Sequence, residues 1–301
     1  MEVTNAGRVV YPDDGITKGE VVAYYARVAH RMLRFVSGRA LSVERFPRGI
    51  GENGFMQKNT PRHYPKDLIG RHRVPKEDGG VTVYPVVDSV DGIVFLANLG
   101  VITFHVPPVT VEDELHPDWA IWDLDPPSGR VDLVRVAATK LRSILDDHGI
   151  PTMPMASGSK GYHLRTPLVP TLTVAGVARV ARGTAALAAT AHAELMTTAF
   201  RRAERGQRVF VDWLRNTPLS TSVAPWSLRP RSGAPVAAPL AWREVGSVEP
   251  DGIRLRTIEK RLDSEGWPNQ KPVDLTPAVE TVEQSLDEAG IELEPFDRFR
   301  S

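Results

Sequence analysis

The chain has 301 residues, of which 42% are hydrophobic and 25% are charged, and this composition excludes a disordered or fibrous protein. It contains no cysteine, which excludes a disulfide framework and a cysteine–zinc site. No apolar run approaches the roughly 18–20 residues of a membrane helix. The N-terminus also lacks the basic and then apolar pattern of a signal peptide, so we expect a cytoplasmic protein.

The 37 basic and 37 acidic residues give a net charge of zero, which by itself argues against a polyanionic partner such as nucleic acid. The charges are unevenly distributed, however. Segment 27–73 holds eleven Lys or Arg against three acids, and segment 200–231 holds seven Arg against two. Segments 112–147 and 278–301 are acidic. This distribution is typical either of solvated faces or of a polyanion-binding surface around a cation-binding centre.

The first predicted element is a helix. Thr17 and Glu20 have the spacing of a capping box, and apolar residues continue at helical spacing through Phe35 to a stop near Gly38. Apolar runs bounded by turn residues then predict strands. These predicted strands cover residues 40–46, 81–87 and 93–96.

Two helical regions are predicted in the second half of the chain. Apolar spacing predicts a helix over 131–147, with Gly149 as its stop. The Ala-rich segment 174–204 is predicted as two helices, because Gly183 and the polar stretch Thr190–His192 weaken its middle.

Toward the C-terminus, the proline-rich segment 214–240 is predicted as extended loops with short strands, and 276–289 as a last amphipathic helix. Strands and helices alternate without regular βαβ repetition. This order favours a mixed α+β fold over a doubly wound sheet.

The sharpest motif lies in Trp119–Pro127, a predicted strand that two prolines terminate. Because side chains alternate along a strand, Asp123 and Asp125 should project from the same face. Two neighbouring carboxylates repel each other unless a cation lies between them, and Mg²⁺ or Mn²⁺ would supply it. The alternative is a turn after an edge strand, with both carboxylates solvated or capping the next helix.

A third carboxylate, Asp212, lies within the otherwise apolar strand Val209–Leu214. A buried lone carboxylate is costly unless it is paired or bound to metal. Asp212 either completes a three-carboxylate metal site or forms an ion pair with an arginine such as Arg208 or Arg215.

The segment Ala156–Leu164 contains small residues that let backbone N–H groups approach an anion. Lys160 adds a compact positive charge and His163 a further donor, which together predict a phosphate cradle. The Walker sequence is absent, so a P-loop NTPase is excluded. The alternative is a Gly/Ser hairpin turn with an exposed lysine.

Together the three motifs meet the needs of two-metal nucleotidyl transfer, which takes carboxylates for the cations and positive groups for the triphosphate. At these residues the sequence resembles the archaeo-eukaryotic primase superfamily, specifically the polymerase domain of bacterial ligase D from non-homologous end joining and its stand-alone relatives. The segments that carry the resemblance are Thr4-Asn5, Val9-Val10-Tyr11-Pro12, Thr17-Lys18-Gly19-Glu20, Gly54-Phe55-Met56-Gln57-Lys58-Asn59, Asn98-Leu99-Gly100, His116-Pro117-Asp118, Asp123-Leu124-Asp125-Pro126, Ser157-Gly158-Ser159-Lys160-Gly161, Asp212 and Ala224-Pro225-Trp226-Ser227-Leu228-Arg229.

The resemblance implies a bipartite primase-polymerase fold of the α+β class. Its central catalytic sheet would be of RRM-like type and flanked by helices, with a smaller N-terminal α/β module. We expect residues 1–301 to form one primase-polymerase domain. Within it, 1–105 would bind DNA and a 5′-phosphate, 106–245 would be the catalytic core, and 246–301 a helical or extended tail.

The resemblance also implies roles for individual residues. The catalytic metal ligands, for two Mn²⁺ or Mg²⁺ ions, would be Asp123, Asp125 and Asp212. The nucleotide-binding residues would be His105, Ser157, Lys160, His163 and Arg229. The residues that bind DNA and its 5′-phosphate would be Asn5, Arg8, Lys18, Phe55 and Lys58. Two positions depart from the family pattern, since Arg8 stands where lysine is expected and Met56 where a second aromatic residue is common.

The implied function is a template-dependent DNA/RNA nucleotidyltransferase that fills short gaps and extends ends in double-strand break repair, preferring ribonucleotides and Mn²⁺. Its substrates would be NTPs or dNTPs and gapped or broken DNA with a 5′-phosphate. No ligase signature is present, so a DNA ligase and an end-binding repair protein are the expected partners. The expected location is the bacterial cytoplasm, in association with the nucleoid.

Two other functions fit parts of the sequence. A metal-dependent phosphohydrolase would use Asp123 as nucleophile and Asp125 as acid, but its common motif has Thr or Val where this chain has Pro127. A non-catalytic DNA-end-bridging module would need the basic segments and not the aspartates.

Overall fold

The computed structural model describes residues 2–76, 78–262, 267 and 270–293. The helices are α1 Lys18–Val36, α2 Val90–Asn98, α3 Val131–Asp147, α4 Val174–Ala191, α5 Arg202–Arg205, α6 Glu259–Leu262 and α7 Thr276–Glu288. The strands are β1 Val9–Tyr11, β2 Ile16–Thr17, β3 Ser42–Arg45, β4 Phe55–Gln57, β5 Gly70–Pro75, β6 Val81–Val86, β7 Val101–Val106, β8 Trp119–Asp125, β9 Met153–Ala156, β10 Tyr162–Pro167, β11 Met196–Thr197, β12 Val209–Asp212, β13 Ser222–Val223 and β14 Ala238–Pro239.

These elements form two compact units. The first contains the chain up to Glu112, with Thr221–Ala238 and the stretch from Asp251 through α6. The second contains Asp113–Ser220, Pro239–Pro250 and the described residues from Trp267 onward. The boundaries of the predicted modules 1–105, 106–245 and 246–301, and the roles assigned to them, remain predictions.

The first unit is built on a four-stranded antiparallel sheet with the order β13-β7-β3-β4, and β5 and β6 form a separate hairpin. Helix α1 begins as predicted: the Thr17 hydroxyl accepts a hydrogen bond from the Glu20 amide, and the Glu20 carboxylate accepts one from the Thr17 amide. The buried face of α1 includes Tyr25, whose ring packs edge-on against Phe104 of β7. The capping box therefore determines the residue at which α1 begins.

The strand predicted at 93–96 is wrong, because these residues lie within α2. The Ser89 hydroxyl accepts a hydrogen bond from the Gly92 amide and caps the helix. Ile93 and Leu96, three residues apart, are both fully buried. A short apolar run fits a strand and a buried helix equally well, and here the cap at Ser89 decides for the helix.

The second unit has a six-stranded sheet with the order β11-β12-β8-β10-β9-β14. Along the chain, its central elements come in the order β8, α3, β9, β10, α4 and β12. The four strands among them pair antiparallel, in the spatial order β12-β8-β10-β9. This is the β-α-β-β-α-β arrangement, so the predicted α+β fold with an RRM-like central sheet is confirmed.

One face of this sheet is covered by α4. The indole N–H of Trp122 donates to the carbonyl of Ala181 and to the hydroxyl of Thr184, at 3.2 and 3.1 Å. Trp122 and Leu124 are fully buried on this side. Because side chains alternate along β8, Asp123 and Asp125 project from the opposite face, as predicted.

Gly183 does not interrupt a helix, contrary to the prediction, since α4 runs through it to Ala191. A Cβ atom at Gly183 would lie 2.5 Å from a methyl group of Val282 in α7, so glycine allows the two helices to approach closely. The predicted second helix of this segment is reduced to α5. The predicted helices over 131–147 and 276–289 are confirmed as α3 and α7. Across the described residues, we find no helix with the length and apolarity required to cross a bilayer.

Candidate functional site

The three predicted carboxylates lie on one face of the second unit's sheet. In the strand register Asp212 of β12 is opposite Asp123 of β8, which is opposite His163 of β10. Asp125 follows two residues further along β8, opposite Phe210. Asp123, Asp212 and His163 are buried, with 11%, 9% and 4% of the side chain exposed, respectively. Three adjacent strands thus hold four titratable side chains together with little freedom.

Arg215 neutralises part of this negative charge. Its Nε atom lies 3.1 Å from Oδ2 of Asp123, and its Nη2 atom lies 3.1 Å from Oδ2 of Asp212. The ion pair predicted as an alternative for Asp212 is therefore present with Arg215. Arg208, the other candidate, donates instead to the backbone carbonyls of Glu204 and Arg205. Sequence analysis singled out Arg215 only as a partner of Asp212 and missed that it bridges two carboxylates.

The pKa values reflect this crowding. Burial and the charges of Asp123 and Asp212 raise the pKa of Asp125 to about 7. Burial also raises the pKa of Asp212, against the opposing effect of Arg215. Burial would raise the pKa of Asp123 too, but the charges and hydrogen bonds of His163 and Arg215 outweigh it and hold that pKa well below its usual range. The site therefore has more negative charge than one guanidinium balances.

The donor chemistry fits Mg²⁺ or Mn²⁺, because three carboxylates on one sheet face provide hard oxygen ligands and excess negative charge. Within the part of the chain that the structure describes, no three His, Asp or Glu side chains already converge as a metal site would require. The reason is the orientation of the carboxylates: Oδ2 of Asp123 and Oδ2 of Asp212 face Arg215, and Oδ1 of Asp123 lies 3.3 Å from Nε2 of His163.

Asp212, Asp123 and His163, with Asp125 on the same face, form what we call the carboxylate row. The predicted phosphate cradle is the turn between β9 and β10, next to the carboxylate row. The hydroxyl of Ser157 accepts hydrogen bonds from the amides of Ser159 and Gly161, at 3.2 and 3.4 Å. The amide of Gly158 donates to the carbonyl of Pro250 at 2.9 Å. A Cβ atom at Gly161 would lie 1.8 Å from the carbonyl oxygen of Leu124, so only glycine lets the turn pack against β8.

The alternative for this segment, a Gly/Ser hairpin turn with an exposed lysine, is correct as a description of its shape. Lys160 is exposed at the tip, and the turn joins two antiparallel strands. The shape is compatible with the predicted role, because a firmly anchored turn with a solvent-facing ammonium group is open to an anionic ligand. His163 is the second residue of the return strand β10. It follows Tyr162, whose hydroxyl donates to the carbonyl of Val248 at 2.6 Å.

Two predicted nucleotide-binding residues belong to the first unit. His105 lies on β7, half-buried, and pairs across the sheet with Ser42 of β3 and Val223 of β13. Arg229 is half-buried, and its backbone amide donates to the carbonyl of Pro235 at 2.8 Å.

The predicted 5′-phosphate residues cluster at the start of α1. The ammonium group of Lys18 donates to the carbonyl and the hydroxyl of Thr4, at 2.5 and 2.7 Å, and only 7% of Lys18 is exposed. Thr4 is held in turn by Asn98, whose side-chain oxygen accepts from the Thr4 amide at 3.2 Å. Asn5 has a φ of 52° in the turn that leads to Arg8. Burial, followed by the nearby charge of Arg8, lowers the pKa of Lys18.

The other predicted DNA-binding residues are exposed. Phe55 and Met56 lie on the edge strand β4, each about half exposed, and their side chains project from opposite faces because neighbours alternate along a strand. The guanidinium of Arg45 lies over the Phe55 ring, 5.5 Å from its centroid. Lys58 follows β4 and is exposed. On this edge strand, Arg45 therefore covers one face of the Phe55 ring and leaves the other face open, and the charge of Lys58 follows three residues later.

Comparisons with known proteins agree with this architecture. The family model described as "LigD, primase-polymerase domain" matches residues 17–269. The multifunctional non-homologous end joining protein LigD of Mycolicibacterium smegmatis is 33% identical over 270 residues, which are 88% of this chain and 35% of that protein. The bifunctional non-homologous end joining protein LigD of Bacillus subtilis is 30% identical over 271 residues, which are 89% of this chain and 43% of that protein. The chain thus spans less than half the length of these relatives.

A solved structure gives the same result at the level of the fold. The polymerase domain of Mycobacterium tuberculosis ligase D in complex with DNA superposes with a TM-score of 0.82 at 31% identity, covering 88% of this chain and 95% of that chain. The matched family region includes both the carboxylate row and the turn between β9 and β10. On these grounds, the chain belongs to the LigD primase-polymerase domain family of DNA nucleotidyltransferases.

Proposed function

We propose that this chain is a template-dependent nucleotidyltransferase that fills short gaps and extends DNA ends during non-homologous end joining. The observation that supports this most is the row of Asp212, Asp123 and His163 across three strands, with Asp125 on the same face. Family membership supports the polymerase reaction, and the names of the matched relatives support the repair process.

Asp123, Asp125 and Asp212 would hold two divalent ions, Mn²⁺ or Mg²⁺. When bound, the ions would lower the pKa of the primer 3′-hydroxyl and neutralise charge on the incoming triphosphate. The strands that carry the three aspartates keep these oxygens in a fixed row, which is the preorganisation that such a reaction requires.

The turn between β9 and β10 would bind the triphosphate. Ser157 holds the amides of Ser159 and Gly161 in place, and its own hydroxyl hydrogen remains able to donate to a phosphate oxygen. Lys160 would contribute its exposed charge, and His163 a ring N–H next to Asp123. In the first unit, His105 and Arg229 are proposed nucleotide contacts as well.

Asn5, Arg8 and Lys18 would recognise a DNA 5′-phosphate. Lys18 and Arg8 concentrate positive charge at the first turn of α1, and a phosphate dianion would offset the burial and the Arg8 charge that lower the pKa of Lys18. Phe55 would stack on a template base, and Lys58 would contact the backbone. Arg8 keeps the charge of the expected lysine with a planar geometry.

The finer properties of the reaction follow from the family resemblance. We propose that ribonucleotides are preferred over deoxyribonucleotides and Mn²⁺ over Mg²⁺. A DNA ligase would seal the product and an end-binding protein would deliver the ends. The working location would be the cytoplasm, in association with the bacterial nucleoid.

The test is a single incubation with Mn²⁺, a labelled primer on a gapped template, and either NTPs or dNTPs. Stepwise templated extension is expected. Phosphate release without extension would instead identify a phosphohydrolase, and a mobility shift without any reaction would identify a bridging module.

Two variants connect that reaction to the carboxylate row. Asp123→Ala and Asp125→Ala should each abolish extension and leave DNA binding, measured by fluorescence anisotropy, nearly unchanged. Asp146→Ala is the matched control, because Asp146 is an exposed carboxylate of α3 in the same unit and pairs with Arg142 one helical turn away. Extension that survives either active-site change would overturn the metal assignment.

A further inference from the structure

We propose that Arg215 is an internal counter-cation that competes with the divalent metal for Asp123 and Asp212, so that metal binding and the release of Arg215 are coupled. This inference rests on the proposed function, because it takes the carboxylate row as the metal site. It assigns to Arg215 a role in setting metal affinity.

The geometry of the two carboxylates leads to this inference. Arg215 engages Oδ2 of Asp123 and Oδ2 of Asp212, each at 3.1 Å. Oδ1 of Asp123 lies 3.3 Å from His163, and Oδ1 of Asp212 accepts a hydrogen bond from the amide of Leu214 at 2.9 Å. All four oxygens are therefore engaged by the protein, and a metal ion that takes any of them must replace a contact.

Among these partners, Arg215 is the one that can leave at least cost. The amide of Leu214 is part of the backbone, and the ring of His163 is held within β10 with 4% of its side chain exposed. The Arg215 side chain is 34% exposed, and its long flexible chain can turn toward solvent. Its departure breaks the ion pairs with Asp123 and Asp212 and leaves the strands unchanged.

The backbone beside Arg215 is anchored independently of its side chain. The side-chain amide of Asn216 donates to the carbonyl of Ile121 at 2.7 Å, and its oxygen accepts from the amide of the same residue at 2.8 Å. Asn216 is fully buried. Release of the Arg215 side chain therefore leaves the backbone in place, because Asn216 continues to fix this turn to β8.

Charge determines the direction of the effect. With Arg215 in contact, its positive charge offsets part of the negative charge of the carboxylates, and its removal leaves more of that negative charge to a divalent ion. A neutral side chain at this position should therefore tighten metal binding. Lysine keeps the charge, but its single compact ammonium group does not reproduce the contact with both carboxylates. The Mn²⁺ affinity of Arg215→Lys should therefore fall between those of the unchanged chain and Arg215→Gln.

The experiment measures Mn²⁺ affinity by isothermal titration calorimetry on the intact chain, with neither nucleotide nor DNA present. Arg215→Gln should bind Mn²⁺ about tenfold more tightly than the unchanged chain, and Arg215→Lys should be tightened less. Arg142→Gln, which removes a half-buried charge of α3 that pairs with Asp146, should have no effect. Asp123→Asn should weaken binding, which assigns the measured heat to this site.

The outcomes separate this inference from the function on which it rests. Mn²⁺ affinities of Arg215→Gln and Arg215→Lys that equal or fall below that of the unchanged chain would overturn the role of Arg215 while leaving the metal site intact. If neither the unchanged chain nor Arg215→Gln binds Mn²⁺, the metal assignment fails and the inference fails with it. Thermal melting of each variant checks the fold, and Arg215→Lys carries the test by itself if Arg215→Gln does not fold.

Discussion

The carboxylate row of the second unit and the Lys18 cluster of the first (Thr4, Asn5, Arg8, Lys18) have opposite charge and are supported in different ways. In the row, each charged group comes from a strand in a continuous sheet. The cluster is built from an N-terminal turn and the first turn of α1, joined by side-chain hydrogen bonds to Thr4 and Asn98. Each has an excess of like charge that a ligand of opposite sign would relieve. We infer that a rigid sheet holds the groups that need exact mutual geometry, whereas a hydrogen-bonded turn would be sufficient for the proposed recognition of a terminal phosphate.

The largest effect should come from disturbing the sheet that carries the carboxylate row. Gly161→Ala would place a Cβ atom 1.8 Å from the carbonyl of Leu124, which forces the turn away from β8. We expect a loss of about 3 kcal/mol in the free energy of unfolding, measured by chemical denaturation. The matched control is Gly246→Ala in the same unit, where no atom lies within 4 Å of the added Cβ. Equal stability of the two variants would mean that the turn is not held against β8.

A smaller effect should show that ionised Asp125 destabilises the fold, because it is buried and lies beside the charges of Asp123 and Asp212. The pKa of Asp125 is raised to about 7 in the folded chain, whereas its ordinary value is about 3.9. The ionised form therefore destabilises the fold: the penalty is absent below about pH 4, grows up to pH 7 and is complete above it. With divalent ions chelated, Asp125→Asn should raise the free energy of unfolding by about 2 kcal/mol at pH 8 and leave it unchanged at pH 4.

Denaturation curves at the two pH values check this prediction. Asp146→Asn, at an exposed position of α3, is the control and should show no such gain at pH 8. A pH-independent gain for Asp125→Asn would attribute the effect to packing and would exclude burial and like-charge repulsion of the ionised carboxylate as its cause.

The smallest effect should come from the Lys18 cluster. Lys18→Ala should reduce the affinity for a gap with a 5′-phosphate about tenfold and leave the affinity for a 5′-hydroxyl gap unchanged, because one charge-assisted contact is lost. Fluorescence anisotropy with the two gapped duplexes measures both. Lys58→Ala is the contrast, since a backbone contact should weaken both complexes equally. If Lys18→Ala also weakens both equally, the cluster is a general backbone contact.

Local features of this chain were predictable where a local rule decides them. The capping box of Thr17 and Glu20 located the start of α1, and the period of a strand put Asp123 and Asp125 on one face. The run Ile93–Leu96 was predicted wrongly, because an apolar tetrapeptide has no period long enough to separate helix from strand. Gly183 was predicted to weaken a helix, whereas in the structure it allows α4 to pack closely against Val282 of α7.

The sequence by itself determined the α+β class, the three carboxylates, the Ser/Gly turn and the family to which they point, because these depend on residue type and on spacing along the chain. Only the tertiary structure decided which groups meet. The register of β12 against β8 brings Asp212 beside Asp123, although 89 positions separate them. The turn after β12 brings Arg215, and not Arg208, onto both carboxylates. Strand register and side-chain packing depend on contacts between distant segments, which no local pattern specifies.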